Sequence, residues 1–225
     1  ARYMMIEASS HALSQYRLAG ISFTAAAFTN LTGDHLDYHG TVENYLAAKA
    51  LLFEQLPPHG MAVLNAQSRA AKALAAKIKR RILWYAIEEQ ADLTAHIHTM
   101  DAAGSEFSLQ FNNYMERVRT PLCGRHNISN HLAAAGLCLA AGFSLSAIAR
   151  GLSELKCVPG RLEPVESPAA ERHGIRVLVN YAHTDDALKN VLKTVRPLCR
   201  GRLIVVFGCG GDRDKTKRPR MARVA

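Results

Sequence analysis

No two of the five cysteines (Cys123, Cys138, Cys157, Cys199, Cys209) form a CxxC pair; their number is odd and they stand far apart. Neither a disulfide framework nor a zinc ribbon is supported, and the pattern fits a reducing compartment such as the cytoplasm. No apolar run reaches the roughly 18 residues that a membrane-spanning helix needs, and no signal-peptide pattern is present, so no membrane insertion is expected. Aromatic residues make up 7% of the chain and do not interleave with Arg and Lys, which argues against a nucleic-acid surface. The phosphate-loop pattern GxxxxGK(S/T) and the dinucleotide pattern GxGxxG are both missing, as are internal repeats and low-complexity segments.

What is present suits a globular protein with a substantial core: 48% hydrophobic and 21% charged residues. A length of 225 residues allows one large domain or two modest ones. The net charge of +9 and a pI near 9.5 favour anionic ligands such as nucleotides and acidic metabolites. The chain opens on Ala1 and stops inside a predicted helix from Lys217 to Ala225, so it reads as an internal piece cut at both ends.

The organising stretch runs from Phe28 to Phe53, FTNLTGDHLDYHGTVENYLAAKALLF. Two acids and two histidines (Asp34, His35, Asp37, His39) crowd a short polar turn, and a helix follows. Tyr45, Leu46, Ala50, Leu52, Phe53 and Leu56 recur at helical spacing, and Lys49 sits inside that apolar face. A lysine there either snorkels to water or does chemistry at the edge of a core.

Around this stretch the chain alternates β and α elements, the signature of a parallel sheet with covering helices. Strands are predicted at Tyr3–Ile6, Phe23–Phe28, Met61–Leu64 and Ile82–Tyr85, with a helix from Ala66 to Ile78. Glu7 would then stand at the carboxyl end of a buried strand, where open α/β sheets bind ligands. From Leu93 to Leu122 the apolar residues recur with period two around a turn at Asn112-Asn113, which predicts three antiparallel strands forming a small side sheet. Helices follow from Asn127 to Ala141 and, capped by Ser144, to about Leu155. Beyond Cys157-Val158-Pro159-Gly160-Arg161 the β-α rhythm restarts: strand Ile175–Val179, helix Asp185–Val195, strand Leu203–Phe207 and a glycine-rich turn. The expected domains are 1–158 and 159–225, the second being the start of a Rossmann-like unit.

Two constellations could carry chemistry. Gly208-Cys209-Gly210-Gly211-Asp212, followed by Arg213, Lys215, Lys217 and Arg218, offers backbone N–H groups and cations to a phosphate. Glu7, His35 and one of Asp34 or Asp37 offer oxygen and imidazole ligands that favour Mg²⁺ or Mn²⁺ bridging nucleotide phosphates over zinc.

These segments (IEASSHAL, FTNLTGDHLDYHG, YLAAKALLF, CGRHNISNHLAA, VPGRLEPV, NYAHTDDAL and VFGCGGDRDKTKRP) stand in the order seen in the Mur ligases. The chain resembles these enzymes, and within them the MurE type, over nearly its whole length except about 67–120. The resemblance implies a P-loop-type central ATPase domain followed by the start of the carboxy-terminal domain. It also implies ATP-dependent amide-bond formation in peptidoglycan synthesis, in which meso-diaminopimelate or L-lysine is added to UDP-N-acetylmuramoyl-L-alanyl-D-glutamate. The enzyme would be a cytoplasmic monomer acting on small molecules, with ATP as co-substrate, two Mg²⁺ ions, and CO₂ to carbamylate a lysine.

By the same resemblance, Glu7 and His35 would ligate the Mg²⁺ ions and Lys49, carbamylated, would help hold the second. Ser9, Gln15 and Arg17 would grip the UDP-muramoyl-dipeptide. Asn130 would face adenine, Arg161 would reach the nucleotide from the domain junction, and His183 would lie near the phosphates. Asn180, where the family carries aspartate, would lie on the nucleotide, and Arg213 would contact the incoming amino acid, leaning towards diaminopimelate. Gly33 replaces a common arginine. The family's GTNGKT phosphate loop and UDP-binding domain would lie upstream of Ala1 and its DNPR segment beyond Ala225, so this piece alone is expected not to turn over ATP. Alternative readings are a catalytically inactive nucleotide-binding or interaction module, another Mur ligase, or a folylpolyglutamate synthase-like ligase.

Overall fold

The computed structural model describes residues 2–31, 36–101, 103–210 and 216–225, with the backbone alone at 36 and 37. Its centre is one six-stranded sheet in the order β1 (Ala25–Phe28), β2 (Met61–Asn65), β3 (Arg81–Ile87), β4 (Leu93–Asp101), β5 (Gly104–Phe111), β6 (Tyr114–Thr120). The first four strands are parallel and the last three antiparallel. The predicted side sheet is thus an extension of the main one. The loop between β3 and β4 spans only residues 88–92, whereas parallel strands usually need a much longer crossover. Here the two overlap by three residue pairs alone, Tyr85↔Leu93 to Ile87↔Ala95, so a tight reversal suffices. Glu88 makes it at a φ of 60°, and Asp92 Oδ2 accepts from Trp84 N at 2.8 Å.

Strand parity explains the layers. In β2 and β3, Val63, Leu83, Tyr85 and Ile87 point to one face, while Ala62, Leu64, Ile82 and Trp84 point to the other. The first face packs on Ile128, Leu132, Ala133 and Ala135 of α5 (Arg125–Ala140) and on Leu145, Ile148 and Ala149 of α6 (Leu145–Glu154). The second packs on Phe53 of α3 (Val42–Glu54), on Leu56 just beyond it, and on Ala71 and Leu74 of α4 (Arg69–Ala75). Two-sided burial is why these strands read as continuous apolar runs. Each fully buried Leu, Val or Phe contributes about 1.5–3 kcal/mol relative to exposure. Close approach of α5 relies on Gly136, because a Cβ there would come within 2.5 Å of Val63 Cγ1.

Two short helices precede α3: α1 (Ser10–Ser14) and α2 (Leu36–His39). After α6 come β7 (Glu163–Val165), α7 (Pro168–Arg172), β8 (Val177–Val179), α8 (Asp185–Val195) and α9 (Lys217–Val224). The predicted helix Asp185–Val195 matches α8, with Thr184 Oγ1 accepting from Ala187 N as its cap.

Two predicted strands do not form. Tyr3–Ile6 has no ladder partner among the described residues, and Met5 is 89% exposed. An apolar run becomes a strand only when a sheet edge receives it, and no hydrogen-bonded pairing links this run to β1. Glu7 therefore ends an exposed extended segment rather than a buried strand. Leu203–Phe207 is likewise extended without a ladder, with Val206 94% exposed. Its expected neighbour β8 pairs antiparallel with β7 instead, from Glu163↔Val179 to Val165↔Val177.

Buried His131 stacks on Phe107 (ring centroids 6.0 Å apart), and its Nε2 lies 3.3 Å from Thr120 Oγ1. Burial lowers its pKa from 6.5 to about 4. Protonation therefore favours the unfolded chain below pH 6.5. Stability should be level above about pH 6.5 and fall by up to roughly 3 kcal/mol as pH drops towards 4. Urea unfolding at pH 7.5 and pH 5 should show this loss, and His131→Gln should remove most of it.

Candidate active site

Tyr38 and His39, at the described end of the polar turn after β1, meet α1 and α3. Thr41 caps α3, its Oγ1 accepting from Asn44 N at 3.1 Å, and Asn44 Nδ2 donates to His39 O at 3.1 Å. His39 is buried, with its Nε2 2.9 Å from Ser10 Oγ and its ring stacked on Tyr45 at 5.1 Å. The turn is thus pinned to both helices.

Lys49 lies one helical turn beyond Tyr45, half-buried, with Nζ 5.2 Å from the Tyr45 ring centroid. Burial lowers its pKa below the usual 10.5, while the Glu7 carboxylate acts in the opposite direction. The lysine is not freely solvated, and among the described residues no carboxylate forms a salt bridge with it. Burial holds its amine towards the neutral, nucleophilic form, and the charge of the exposed Glu7 carboxylate opposes that shift.

Ser9, Gln15 and Arg17 flank α1. Ser9 Oγ accepts from Ala12 N at 3.1 Å and keeps its own proton to donate. The helix ends in a Schellman turn, with Arg17 N bonded to Ala12 O at 2.9 Å and Tyr16 N to Leu13 O at 3.0 Å. Tyr16 occupies the position usually given to glycine, at a φ of 54°. Such a left-handed residue costs about 1 kcal/mol or more and persists only where its surroundings over-determine it. The exposed Gln15 and Arg17 side chains leave from this turn. Tyr38 of α2 closes over it, its Oη 3.2 Å from Ser14 Oγ and 3.5 Å from Gln15 Nε2.

A second group assembles at the break after α6. Tyr181 N donates to Gly160 O at 2.7 Å, and Asn180 Oδ1 accepts from Leu162 N at 3.0 Å. Leu162 sits at a φ of 50°, two residues after Gly160 at 68°, so the bond it donates to Asn180 secures a strained turn. An aspartate oxygen could accept the same bond, which accounts for asparagine standing where the resemblance leads one to expect aspartate. The Arg161 guanidinium lies 5.8 Å from the Tyr181 ring centroid, and His183 Nδ1 is 3.1 Å from Tyr181 O. Arg161, Asn180 and His183 thus share one cluster around Tyr181.

Asn130 is exposed on α5, on the turn between buried Asn127 and His131. His35, Asp34 and Arg213 lie outside the described residues, as do Asp212 and the Asp37 side chain. Among the described residues no group of three or more His, Cys, Asp or Glu is placed to hold a metal ion. Sequence reasoning missed the Ser10–His39 pair and the role of Tyr38. Both join segments more than 20 residues apart, and only the hydroxyl-rich ASSHALSQ and DYHG patterns hinted at them.

The Lys49 amine should titrate below the ordinary lysine range. Glu7→Gln should lower its pKa further, because the carboxylate is what favours the ammonium form. The pH dependence of amine labelling at Lys49, followed by peptide mapping, checks both; an unshifted profile in Glu7→Gln would break the pairing.

Comparison with known proteins fits this geometry. A model of the Mur ligase middle domain matches residues 1–138, and one of the Mur ligase, glutamate ligase domain matches 160–225. The chain is 45% identical over 229 residues to a UDP-N-acetylmuramoyl-L-alanyl-D-glutamate--2,6-diaminopimelate ligase of Geobacillus kaustophilus, spanning 99% of this chain and 46% of that protein. It is 46% identical over 225 residues to a protein of the same name from Gloeobacter violaceus, spanning 100% and 45%. A solved structure of a ligase so named superimposes with a TM-score of 0.71 at 37% identity, covering 97% of this chain and 45% of that one. MurF from Acinetobacter baumannii (TM-score 0.67, 23% identity, covering 77% of this chain and 37% of that one) shares the fold. The chain spans about half the length of the curated relatives it matches. With the middle-domain model alone matching more than half its residues, the chain belongs to the Mur ligase family.

Proposed function

We propose that this chain is the core of an ATP-dependent ligase of the MurE type, joining meso-diaminopimelate to UDP-N-acetylmuramoyl-L-alanyl-D-glutamate in cytoplasmic peptidoglycan synthesis. The observation that carries the proposal is identity of 45–46% along essentially the whole chain to ligases so named. Residues 1–158 would form the central domain and 159–225 the start of the carboxy-terminal one, in a monomeric enzyme.

A carboxylate is a poor acyl donor. In the proposed reaction the glutamate carboxylate takes the γ-phosphoryl group of ATP with loss of ADP, and the amine of the diamino acid then displaces phosphate from the acyl phosphate. Negative charge accumulates on oxygens in both steps. Bound Mg²⁺ would neutralise phosphate charge. Glu7, His35 and carbamylated Lys49 would hold the two ions, and an exposed Glu7 carboxylate whose charge acts on Lys49 fits that use.

Carbamylation needs the neutral amine: its lone pair attacks the CO₂ carbon, a proton leaves the nitrogen, and an anionic carbamate results. Burial of Lys49 favours the required form. Ser9, Gln15 and Arg17 would bind the UDP-muramoyl-dipeptide. Asn130, Arg161, Asn180 and His183 would face the nucleotide, and Arg213 the incoming diamino acid. The clustering of Arg161, Asn180 and His183 around Tyr181 supports a shared role for them.

The test is amide formation by the full-length protein with UDP-muramoyl-dipeptide, ATP and diaminopimelate, with L-lysine as the competing amine. Lys49→Ala should lower kcat by at least about a hundredfold (about 2.7 kcal/mol). Bicarbonate or short carboxylates should restore part of it. Full activity of Lys49→Ala would remove the lysine from the reaction, and no amide with either amine would overturn the proposal.

A further inference from the structure

Tyr38 lies on α2, in the segment that leads to Lys49, and its hydroxyl meets the end of α1. Its Oη is 3.2 Å from Ser14 Oγ and 3.5 Å from Gln15 Nε2, the second at the long end of a hydrogen bond. Its ring lies against His11 (centroids 4.1 Å apart) and edge-on to His39 at 4.8 Å. His39 in turn is held by Ser10, on the first turn of α1. One end of α1 is thus gripped through Ser10 and the other through Ser14 and Gln15.

The gripped end is the strained one. Tyr16 follows Gln15 in the left-handed conformation at a φ of 54°, and Arg17 closes the turn by bonding to Ala12 O. A tyrosine in that conformation relaxes unless neighbours hold it, and the directions of Gln15 and Arg17 depend on its holding. The hydrogen bonds with Ser14 and Gln15 lower the Tyr38 pKa, and the Arg17 charge acts in the same direction.

We propose that Tyr38 is a positioning residue whose hydroxyl fixes the turn carrying Gln15 and Arg17, and so sets the affinity for the anionic UDP-linked peptide. This rests on the reading of Gln15 and Arg17 as substrate-binding residues given above. The consequence is a physical link between the turn that serves the phosphate chemistry and the residues that hold the acceptor: Tyr38 stands on α2 between Asp37 and His39 of the acid–histidine segment.

Tyr38→Phe in the full-length enzyme isolates the hydroxyl, because the ring contacts with His11 and His39 remain. The KM for UDP-muramoyl-dipeptide should rise about three- to tenfold, with its Kd by calorimetry rising in parallel. The KM for ATP and for diaminopimelate should stay within twofold, as should kcat. In a Gln15→Ala background the same substitution should add less than twofold, because the two groups act as a unit. Unchanged acceptor affinity in Tyr38→Phe, a loss spread equally over all three substrates, or full additivity with Gln15→Ala would each overturn the proposal. If Gln15→Ala and Arg17→Ala leave acceptor affinity unchanged while the wild type ligates normally, it is the substrate-binding reading that fails, and this inference falls with it.

Discussion

Everything at the candidate site hangs on the burial of β2 and β3 from both sides. Ala62, Val63 and Leu64 are consecutive and fully buried, so neighbouring residues anchor opposite layers. On one side they hold α5, and on the other they hold the second half of α3 through Phe53 and Leu56. The same helix also packs on α1, and Tyr45 and Lys49 stand one turn apart along it. The position of Lys49 follows from hydrophobic packing about one helical turn away. Its altered acidity follows from the partial burial that this packing imposes.

A consequence is that chemistry and scaffold use adjacent positions on one helix. Lys49 is flanked by Ala48, which is buried, and Ala50, which packs against the α3–α4 core. Small neighbours let the helix come close without covering the amine completely. The same economy appears at the second cluster, where Asn180 secures the turn at Leu162 while the adjoining Tyr181 lies against Arg161 and His183. In both places a structural bond and a candidate functional group sit side by side, so neither can shift alone.

Local order is uneven along the chain. The six-stranded sheet buries most of its apolar residues, Met100, Tyr114 and Met115 at its antiparallel end excepted, whereas β7, β8 and the segment 203–207 leave Val177, Val179, Ile204 and Val206 exposed. Those valines and isoleucines are strand formers by side-chain shape. Shape alone does not make a ladder; a paired edge does.

Elements whose periodicity is local were legible in the order of the residues. That order specified α3 with Lys49 on its apolar side, α6 capped by Ser144, α8 at its observed ends, and the β5–β6 turn at Asn112-Asn113. It also carried the motifs that identify the family, because these are short and contiguous. Only the tertiary structure decided which apolar runs became strands: Tyr3–Ile6 and Leu203–Phe207 did not, for want of a paired edge, while Leu93–Ala95 joined β3 through an overlap no periodicity announces. It alone brought Ser10 to His39 and Tyr38 to the end of α1, and set Glu7 within electrostatic reach of Lys49. Those pairings span tens of residues, and local spacing cannot encode a contact that depends on how separate segments dock around a shared core.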